Sequence, residues 1–307
     1  MPAVPLLCAV GQELPQDCPA FHRHRFEKEQ AMSAPKISPA DLCELSATML
    51  IPLWAKAVEC ERPDALLRDA QAQRMLGQID FDFSVFASAK ASQAGCCGRA
   101  VLLDGYVREF LALHPKAVVV HLGAGLDARY ERLGRPDVTA WYELDLPPAI
   151  ALRRKLLPES GNVYLPASML DEAWMDTAAA HGQPVLLVAE GVFMYFDAQT
   201  LQAWFARLAR KLPQAQLVFD ALPKKLVGRQ RQHDSLKKMG QNPPAFQWGI
   251  SDVSQLASFG LQVLAHQGLS QACGHRYPWP MRLLLRTAWG RRNLDMHMVW
   301  ARLCSTD

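Results

Sequence analysis

The run Ala117-Val118-Val119-Val120-His121-Leu122-Gly123 constrains this chain more than any other segment. It is apolar at successive positions, so its side chains must be covered on both faces of a sheet. That is the signature of a central strand in a parallel sheet with helices on both sides. It runs directly into Gly123-Ala124-Gly125-Leu126-Asp127. The two glycines permit a sharp turn and let backbone N–H groups approach a ligand. Four further runs read as strands: Ala140 to Asp145, Asn162 to Ala167, Pro184 to Ala189 and Ala215 to Asp220. Helical stretches such as Ala149 to Leu157 and Gln199 to Lys211 lie between them, and the alternation predicts βαβ units. Gln262 to Ala265 and Met296 to Leu303 read as the last strands.

Upstream of this core the period changes. Leu66, Leu67, Ala70, Met75, Leu76 and Ile79 recur at helical spacing, as do Val101, Leu102, Tyr106, Val107, Phe110 and Leu111. Ser38 ahead of Pro39 and Asp41 reads as a helix cap. Residues 1 to 36 show no sustained period and predict a poorly ordered leader. The expected organisation is therefore a single domain over 37–307. It comprises a helical cap over 37–115 and an α/β core over 116–307, with an insertion or lid at 223–250.

Composition excludes several classes. The 33 basic and 30 acidic residues are interspersed, giving a net charge of +3, so there is no concentrated basic face for nucleic acid. No stretch approaches the ~18 consecutive apolar residues of a membrane helix. The N-terminus lacks the pattern of an export signal, so the expected setting is cytoplasmic. Eight cysteines occur, at positions 8, 18, 43, 60, 96, 97, 273 and 304, without a Cys-x-x-Cys pair. This predicts free thiols and no metal site.

The glycine loop leaves two cofactor classes open. Gly123, Gly125 and Ala128 also satisfy the dinucleotide pattern G-x-G-x-x-G/A, which keeps a nicotinamide-dependent oxidoreductase in play. Charge separates the two. A pyrophosphate is favoured at a helix N-terminus, and Asp127 would oppose it, whereas an acidic loop suits the cationic S-adenosylmethionine. Glu143 and Asp145 end the second strand about 20 residues after the loop, where an acid can accept hydrogen bonds from ribose hydroxyls in either class.

The ordered set of motifs is more specific. Val118 to Arg129, Tyr142-Glu143-Leu144-Asp145-Leu146-Pro147 and Val188-Ala189-Glu190-Gly191-Val192-Phe193-Met194-Tyr195 resemble the leucine carboxyl methyltransferase family. Within it, the likeness is to the polyketide O-methyltransferases of tetracenomycin type. Arg62 to Asp69, Ile79 to Phe83 and Phe246-Gln247-Trp248-Gly249 fit the same pattern, and the resemblance covers roughly residues 45 to 303. It implies a Rossmann-like, seven-stranded class I methyltransferase sheet behind a helical N-terminal cap. It implies S-adenosylmethionine as cofactor, with Arg99 holding the cofactor's carboxylate and Lys56 at a basic position of similar use. Gly123 and Gly125 would line the methionine moiety, Asp145 would bind ribose with Glu143 beside it, and Glu190 would sit near the amino group. The family's adenine-reading Asp-Leu pair is replaced here by Ser168-Met169. The candidates left for adenine recognition are Ser168, Met169, the backbone and Asp171.

Methyl transfer is an in-line displacement that mainly requires alignment. A carboxylate acceptor needs no base, whereas a hydroxyl profits from one. No catalytic residue is unambiguous: Tyr195, His233, His275 and Tyr277 are candidates, and His121 reads as a packed core histidine. Phe193, Phe246, Trp248 and Trp279 are candidates for an apolar acceptor pocket. The expected activity is methylation of an oxygen, carboxylate or hydroxyl, of a small molecule, which the resemblance implies to be polyketide-like. A non-catalytic cofactor-binding member is the remaining alternative.

Overall fold

A computed structural model describes residues 36–38, 47–238 and 243–304. The expected leader and the Pro39–Asp41 part of the predicted cap lie outside the described residues, as do Cys8, Cys18 and Cys43. Seven strands form one sheet in the order β3-β2-β1-β4-β5-β7-β6. They are β1 Val118–Leu122, β2 Ala140–Asp145, β3 Val163–Pro166, β4 Val185–Ala189, β5 Gln216–Ala221, β6 Leu261–Gly268 and β7 His297–Leu303. The first five are parallel, and β7 lies antiparallel between β5 and β6. Each expected strand occurs within a few residues of its predicted limits. Gly123, with φ of +62°, ends β1.

The double burial of β1 follows its period of two. Val118, Val120 and Leu122 pack into one core cluster with Trp174, Trp204 and Phe205, while Val119 packs into the other with Leu103, Tyr106 and Phe110. On one face the helix Ala198–Lys211 supplies Trp204, whose Nε1 donates to the Met169 carbonyl at 2.8 Å. On the other lies the 24-residue helix Lys90–Leu113, called α3 below.

Among the described residues two α-helices precede α3: α1, Leu50–Glu59, and α2, Ala70–Gln78. The spacing placed helical periodicity from Leu66, but α2 starts at Ala70. Asp69 stops it there by accepting from the Ala72 N–H at 2.9 Å, an N-cap that satisfies one of the four unpaired donors of the first turn. The Leu66 N–H instead donates to Glu59 at 2.7 Å. The segment 223–250 is closed at its base, where Lys224 N–H donates to the Ile250 carbonyl at 2.9 Å and Ile250 N–H to the Leu222 carbonyl at 2.8 Å. Among the described residues no helix is long and apolar enough to cross a membrane, and Cys60, Cys96, Cys97, Cys273 and Cys304 are free thiols.

Trp204 is fully buried and also anchors the backbone of the β3 loop. Trp204→Ala is expected to cost about 3–5 kcal/mol, read as a lower urea midpoint. A loss below 1 kcal/mol would show that this face of the sheet does not depend on it.

Candidate functional site

The strand order reverses between β1 and β4, because β2 and β3 extend to one side of β1 and β4 and β5 to the other. Connections therefore diverge at the C-terminal ends of β1 and β4 and leave a crevice there, the usual ligand site of an open α/β sheet. A cavity of 780 Å³ occupies it. Its floor is the loops after the strands, Gly123 to Asp127, Leu144 to Leu146, Ala167 to Met169 and Glu190 to Val192. Its far side is built from α1, the first turns of α3, the 226–236 segment and Met281 and Leu285 of the helix Trp279–Arg286.

Gly123 and Gly125 both adopt positive φ, +62° and +50°. A Cβ on Gly123 would come within 2.6 Å of Val192 Cγ2, and one on Gly125 within 3.1 Å of Met49 Cβ. Both glycines are thus required by conformation and by close approach.

Beneath the loop runs a continuous network of buried ions. Asp127 Oδ1 is 2.8 Å from Lys56 Nζ and 2.8 Å from Arg132 Nη1. Arg132 also reaches Asp69 at 2.8 Å and Asp104 at 2.7 Å. Arg129, fully buried, donates from Nε to Asp104 at 2.8 Å, from Nη2 to Glu190 at 2.5 Å and from Nη1 to His121 Nε2 at 3.1 Å. A guanidinium can only donate, so His121 Nε2 accepts, and its Nδ1–H donates to Glu143 at 2.9 Å. His121 is the hydrogen-bonded core histidine expected, although its edge also touches the cavity.

This network changes the charge argument for Asp127. The loop is not a bare negative charge, because Lys56, Arg129 and Arg132 neutralise it. Burial pushes the Asp127 carboxyl up, but Arg132, Lys56 and Arg129 outweigh burial and hold it well below its usual range. Its Oδ2 lines up with no hydrogen-bond donor among the described residues. Lys56 lines the cavity, yet its first partner is Asp127.

Glu143 is a correction. It does not line the cavity beside Asp145; it is fully buried, taken up by His121, Trp141 Nε1 at 3.0 Å, Asn162 at 3.3 Å and Arg153 at 3.3 Å. Asp145 does reach the cavity. Its two oxygens accept from the Gly125 and Leu146 N–H groups, each at 2.7 Å. A carboxylate has about four lone-pair positions, which leaves two for a ligand. Burial raises its pKa despite these bonds.

Arg99 projects from α3 between two acids without closing on either. Its Nε lies 3.6 Å from Glu190 and its Nη1 3.5 Å from Asp220, and Nε has no hydrogen bond among the described residues. Burial works against its charge, but Asp220, Cys96 and Glu190 outweigh burial and raise its pKa. Asp220 in turn accepts from the Gly191 N–H at 2.6 Å. Ser168 and Met169 both line the cavity, whereas Asp171 is exposed, does not line it and caps the Ser168 N–H at 2.9 Å. Asp171 is therefore withdrawn as an adenine contact.

The orphaned Arg99 Nε, the free lone pairs of Asp145 and the glycine cradle fit a ligand carrying a carboxylate and a ribose. Only four residues, Arg129–Arg132, form the helix after the loop, too short for the macrodipole that a pyrophosphate needs. Among the described residues no group of three or more His, Cys, Asp or Glu is placed to hold a metal ion.

Of the candidate bases, Tyr195, His233 and Tyr277 line the cavity and His275 does not, being exposed with its Nε2 accepting from Arg276. Burial raises both tyrosines. Of the candidate pocket aromatics, only Phe246 lines the cavity. Phe193 and Trp248 are packed in the core with Trp204 and Phe259, and Trp279 is 71% exposed. Sequence reasoning missed Asp104, Arg132 and Asp220, which hold the site from behind. Their signal was a charge within an otherwise buried helix or strand end.

Asp104, Asp127 and Glu190 are all held below the ordinary carboxylate range in the folded chain by the arginines and Lys56, which overcome burial. The stability they confer is present in full above their unfolded values near about 4. It is lost as pH falls through the lower folded values. Urea unfolding from neutral pH downward should show that loss. Arg129→Met, which takes the nearest cation from Glu190 and leaves Asp104 to Arg132 alone, should cost about 3–5 kcal/mol at neutral pH. It should also flatten the acid limb; an unchanged limb would exclude the network as its source.

The sequence model of leucine carboxyl methyltransferases matches residues 49–209. The tetracenomycin polyketide synthesis O-methyltransferase of Streptomyces glaucescens is 36% identical over 212 residues, covering 69% of this chain and 77% of that protein. An S-adenosyl-L-methionine-dependent methyltransferase of Gibberella zeae is 29% identical over 182 residues, covering 52% of this chain and 59% of that one. Among solved structures, a protein assigned as a methyltransferase from Thermobifida fusca superposes with a TM-score of 0.53 at 15% identity. It covers 78% of this chain and 97% of that chain, a likeness of fold.

Proposed function

The chain belongs to the leucine carboxyl methyltransferase family, and from that membership we propose an O-methyltransferase that acts on a small, largely apolar molecule. It is an S-adenosylmethionine-dependent enzyme of that family. The observation that carries the acceptor reading is the division of the cavity into two unlike halves. One half holds Arg99, Asp127, Asp145 and Glu190; the other is walled mainly by Met194, Leu222, Leu226, Phe246, Met281 and Leu285, with His233 and Arg229 among them. A polyketide-like acceptor is favoured by the likeness to the tetracenomycin enzyme, which is itself a polyketide-synthesis O-methyltransferase. A cytoplasmic setting is part of the same reading and is supported by the free thiols.

When bound, the cofactor supplies a methyl group on a positively charged sulfur that leaves readily. The chain's residues hold and orient. Arg99, whose Nε makes no hydrogen bond among the described residues, would grip the carboxylate with a planar fork. Glu190 and Asp127, whose Oδ2 lies 3.5 Å from Arg129 Nη2, would face the ammonium group. Asp145 would accept from the ribose hydroxyls, and Ser168 and Met169 would border the adenine. Gly123 and Gly125 would let the backbone close on the methionine moiety. The 226–236 segment and α1, packed over the crevice, would keep water from the reacting atoms, so that alignment supplies most of the rate.

S-Adenosylhomocysteine at 100 times its dissociation constant should stabilise the protein by about 2.7 kcal/mol, whereas NAD should not. Thermal melting reads both; stabilisation by NAD alone would overturn the cofactor assignment. Arg99→Ala should weaken S-adenosylhomocysteine binding by about 10- to 100-fold, the loss of a charge-assisted contact. Unchanged affinity by calorimetry would remove Arg99 from the proposed site.

A further inference from the structure

Four side chains at the apolar half of the cavity form a chain whose direction is fixed by chemistry. Ser92, on the first turn of α3, hydrogen-bonds to Asp234 Oδ1. The Ser92 and Ser235 hydroxyl oxygens are 2.9 Å apart, and Ser235 Oγ is 3.1 Å from His233 Nδ1. Asp234 is anchored in turn, its Oδ2 accepting from the Ala91 and Ser92 N–H groups at 3.2 Å each. An ionised carboxylate only accepts, and each hydroxyl has one proton. The Ser92 proton is therefore committed to Asp234. The proton between the two serines must come from Ser235, since two oxygens at that distance without one would repel. Ser235 then has no proton left for His233, so Nδ1 carries the ring hydrogen and donates it. Nε2 is left with its lone pair and has no hydrogen-bond partner among the described residues. The ring lines the cavity, its side chain is 40% exposed, and it sits T-shaped to Phe246 at 5.9 Å between centroids.

We propose that His233 is the base that takes the proton of a phenolic acceptor, with Ser235, Ser92 and Asp234 fixing its tautomer. The inference rests on the methyltransferase reading and narrows the acceptor to a hydroxyl. A carboxylate is already ionised at neutral pH and gains nothing from a neutral imidazole, whereas a phenol, with a pKa near about 10, keeps its proton. A carboxylate would also need a cation in the apolar half. Lys56 is paired with Asp127 and Arg99 belongs to the polar half; Arg229 lines the cavity but is exposed to solvent, where water screens its charge. In the step, His233 Nε2 takes the hydroxyl proton while the oxygen's electron pair forms the new bond to the methyl carbon. The electrons of the methyl–sulfur bond remain on sulfur, which becomes a neutral thioether.

Three influences bear on the ring's charge. Burial lowers its pKa, the Asp234 carboxylate raises it and Arg99 lowers it, with a net fall below the ordinary histidine value. Ser92, Ser235 and Phe246, the other groups packed on it, are neutral. The ring is thus unprotonated at neutral pH, and the acid limb of the rate profile lies below the usual histidine range.

The test begins with calorimetric binding of S-adenosylhomocysteine to the full-length protein; failure there would sink the methyltransferase reading itself. Into that complex phenol itself, with a pKa of about 10, is then titrated at neutral pH and should bind the wild type and His233→Gln alike. With S-adenosylmethionine, His233→Gln should lower kcat for phenol by about 100-fold or more at neutral pH. The deficit should shrink as pH rises and solution supplies the phenolate. Ser235→Ala, which breaks the relay but spares the ring and the anchoring of Asp234, should show a smaller loss in the same direction. S-Adenosylhomocysteine affinity unchanged in both variants establishes that they fold. The proposal is overturned if phenol does not bind, or if His233→Gln keeps the wild-type kcat and pH profile.

Discussion

The pairing of Arg129 with Asp104, Glu190 and His121 is the interaction on which the rest of the site depends. It ties the turn after β1 to α3 on one side and to the end of β4 on the other. Arg129 lies two residues beyond Asp127, so its position determines where the loop stands relative to the two elements that face it. The group is fully buried, and a buried cation without partners would be prohibitive. Each partner must therefore be delivered by the fold before the loop is stable. Such networks add less net stability than their number suggests, because desolvation offsets the Coulomb gain. Their effect here is to make one arrangement of the loop much better than its neighbours.

The crevice has a second origin in topology. Divergence of the chain on either side of β1 opens a gap at one edge of the sheet, and the network closes its floor. The helical part ahead of the core supplies a wall rather than a separate body: Lys56 of α1 pairs with Asp127 of the loop, and Arg99 and Ser92 of α3 reach into the same cavity. The 226–236 segment completes the wall, held to α3 through Asp234. The polar and apolar halves thus come from different parts of the chain. Core loops provide the acids of the charged half and α3 its Arg99, and the cap, the 226–236 segment and the helix Trp279–Arg286 provide most of the other.

The strands were legible because their signal is local: unbroken apolar runs ending at glycine or acid, with helices between. Family likeness added Arg99 and the pairing of roles along the loops, which no period or spacing could assign. Glu143 was misplaced because alternation relates it to Asp145 only by face, and a carboxylate on that face can turn inward to Arg153 and His121 as readily as outward. Asp171 was misplaced for a related reason, its carboxylate being consumed by the backbone of its own turn. The aromatics divided for the same kind of cause. Phe193 and Trp248 had a denser core to join, and Phe246 did not.

The sequence by itself determined the α/β class, the strand–glycine turn, the family and, through it, the cofactor, because each of these is written in contiguous residues. Only the tertiary structure decided which charges are free. Asp127 reads as an acid open to a cation, but residues from α1 and from the turn after the loop neutralise it. Arg99 is given its role in the sequence only by family likeness, but the fold sets it between two acids with its Nε making no hydrogen bond among the described residues. His233 acquires a defined tautomer only because Ser92, more than a hundred residues earlier, is brought beside Asp234 and Ser235. A side chain's charge and hydrogen-bonding direction depend on what lies within a few ångströms, and for these residues those neighbours come from distant parts of the chain.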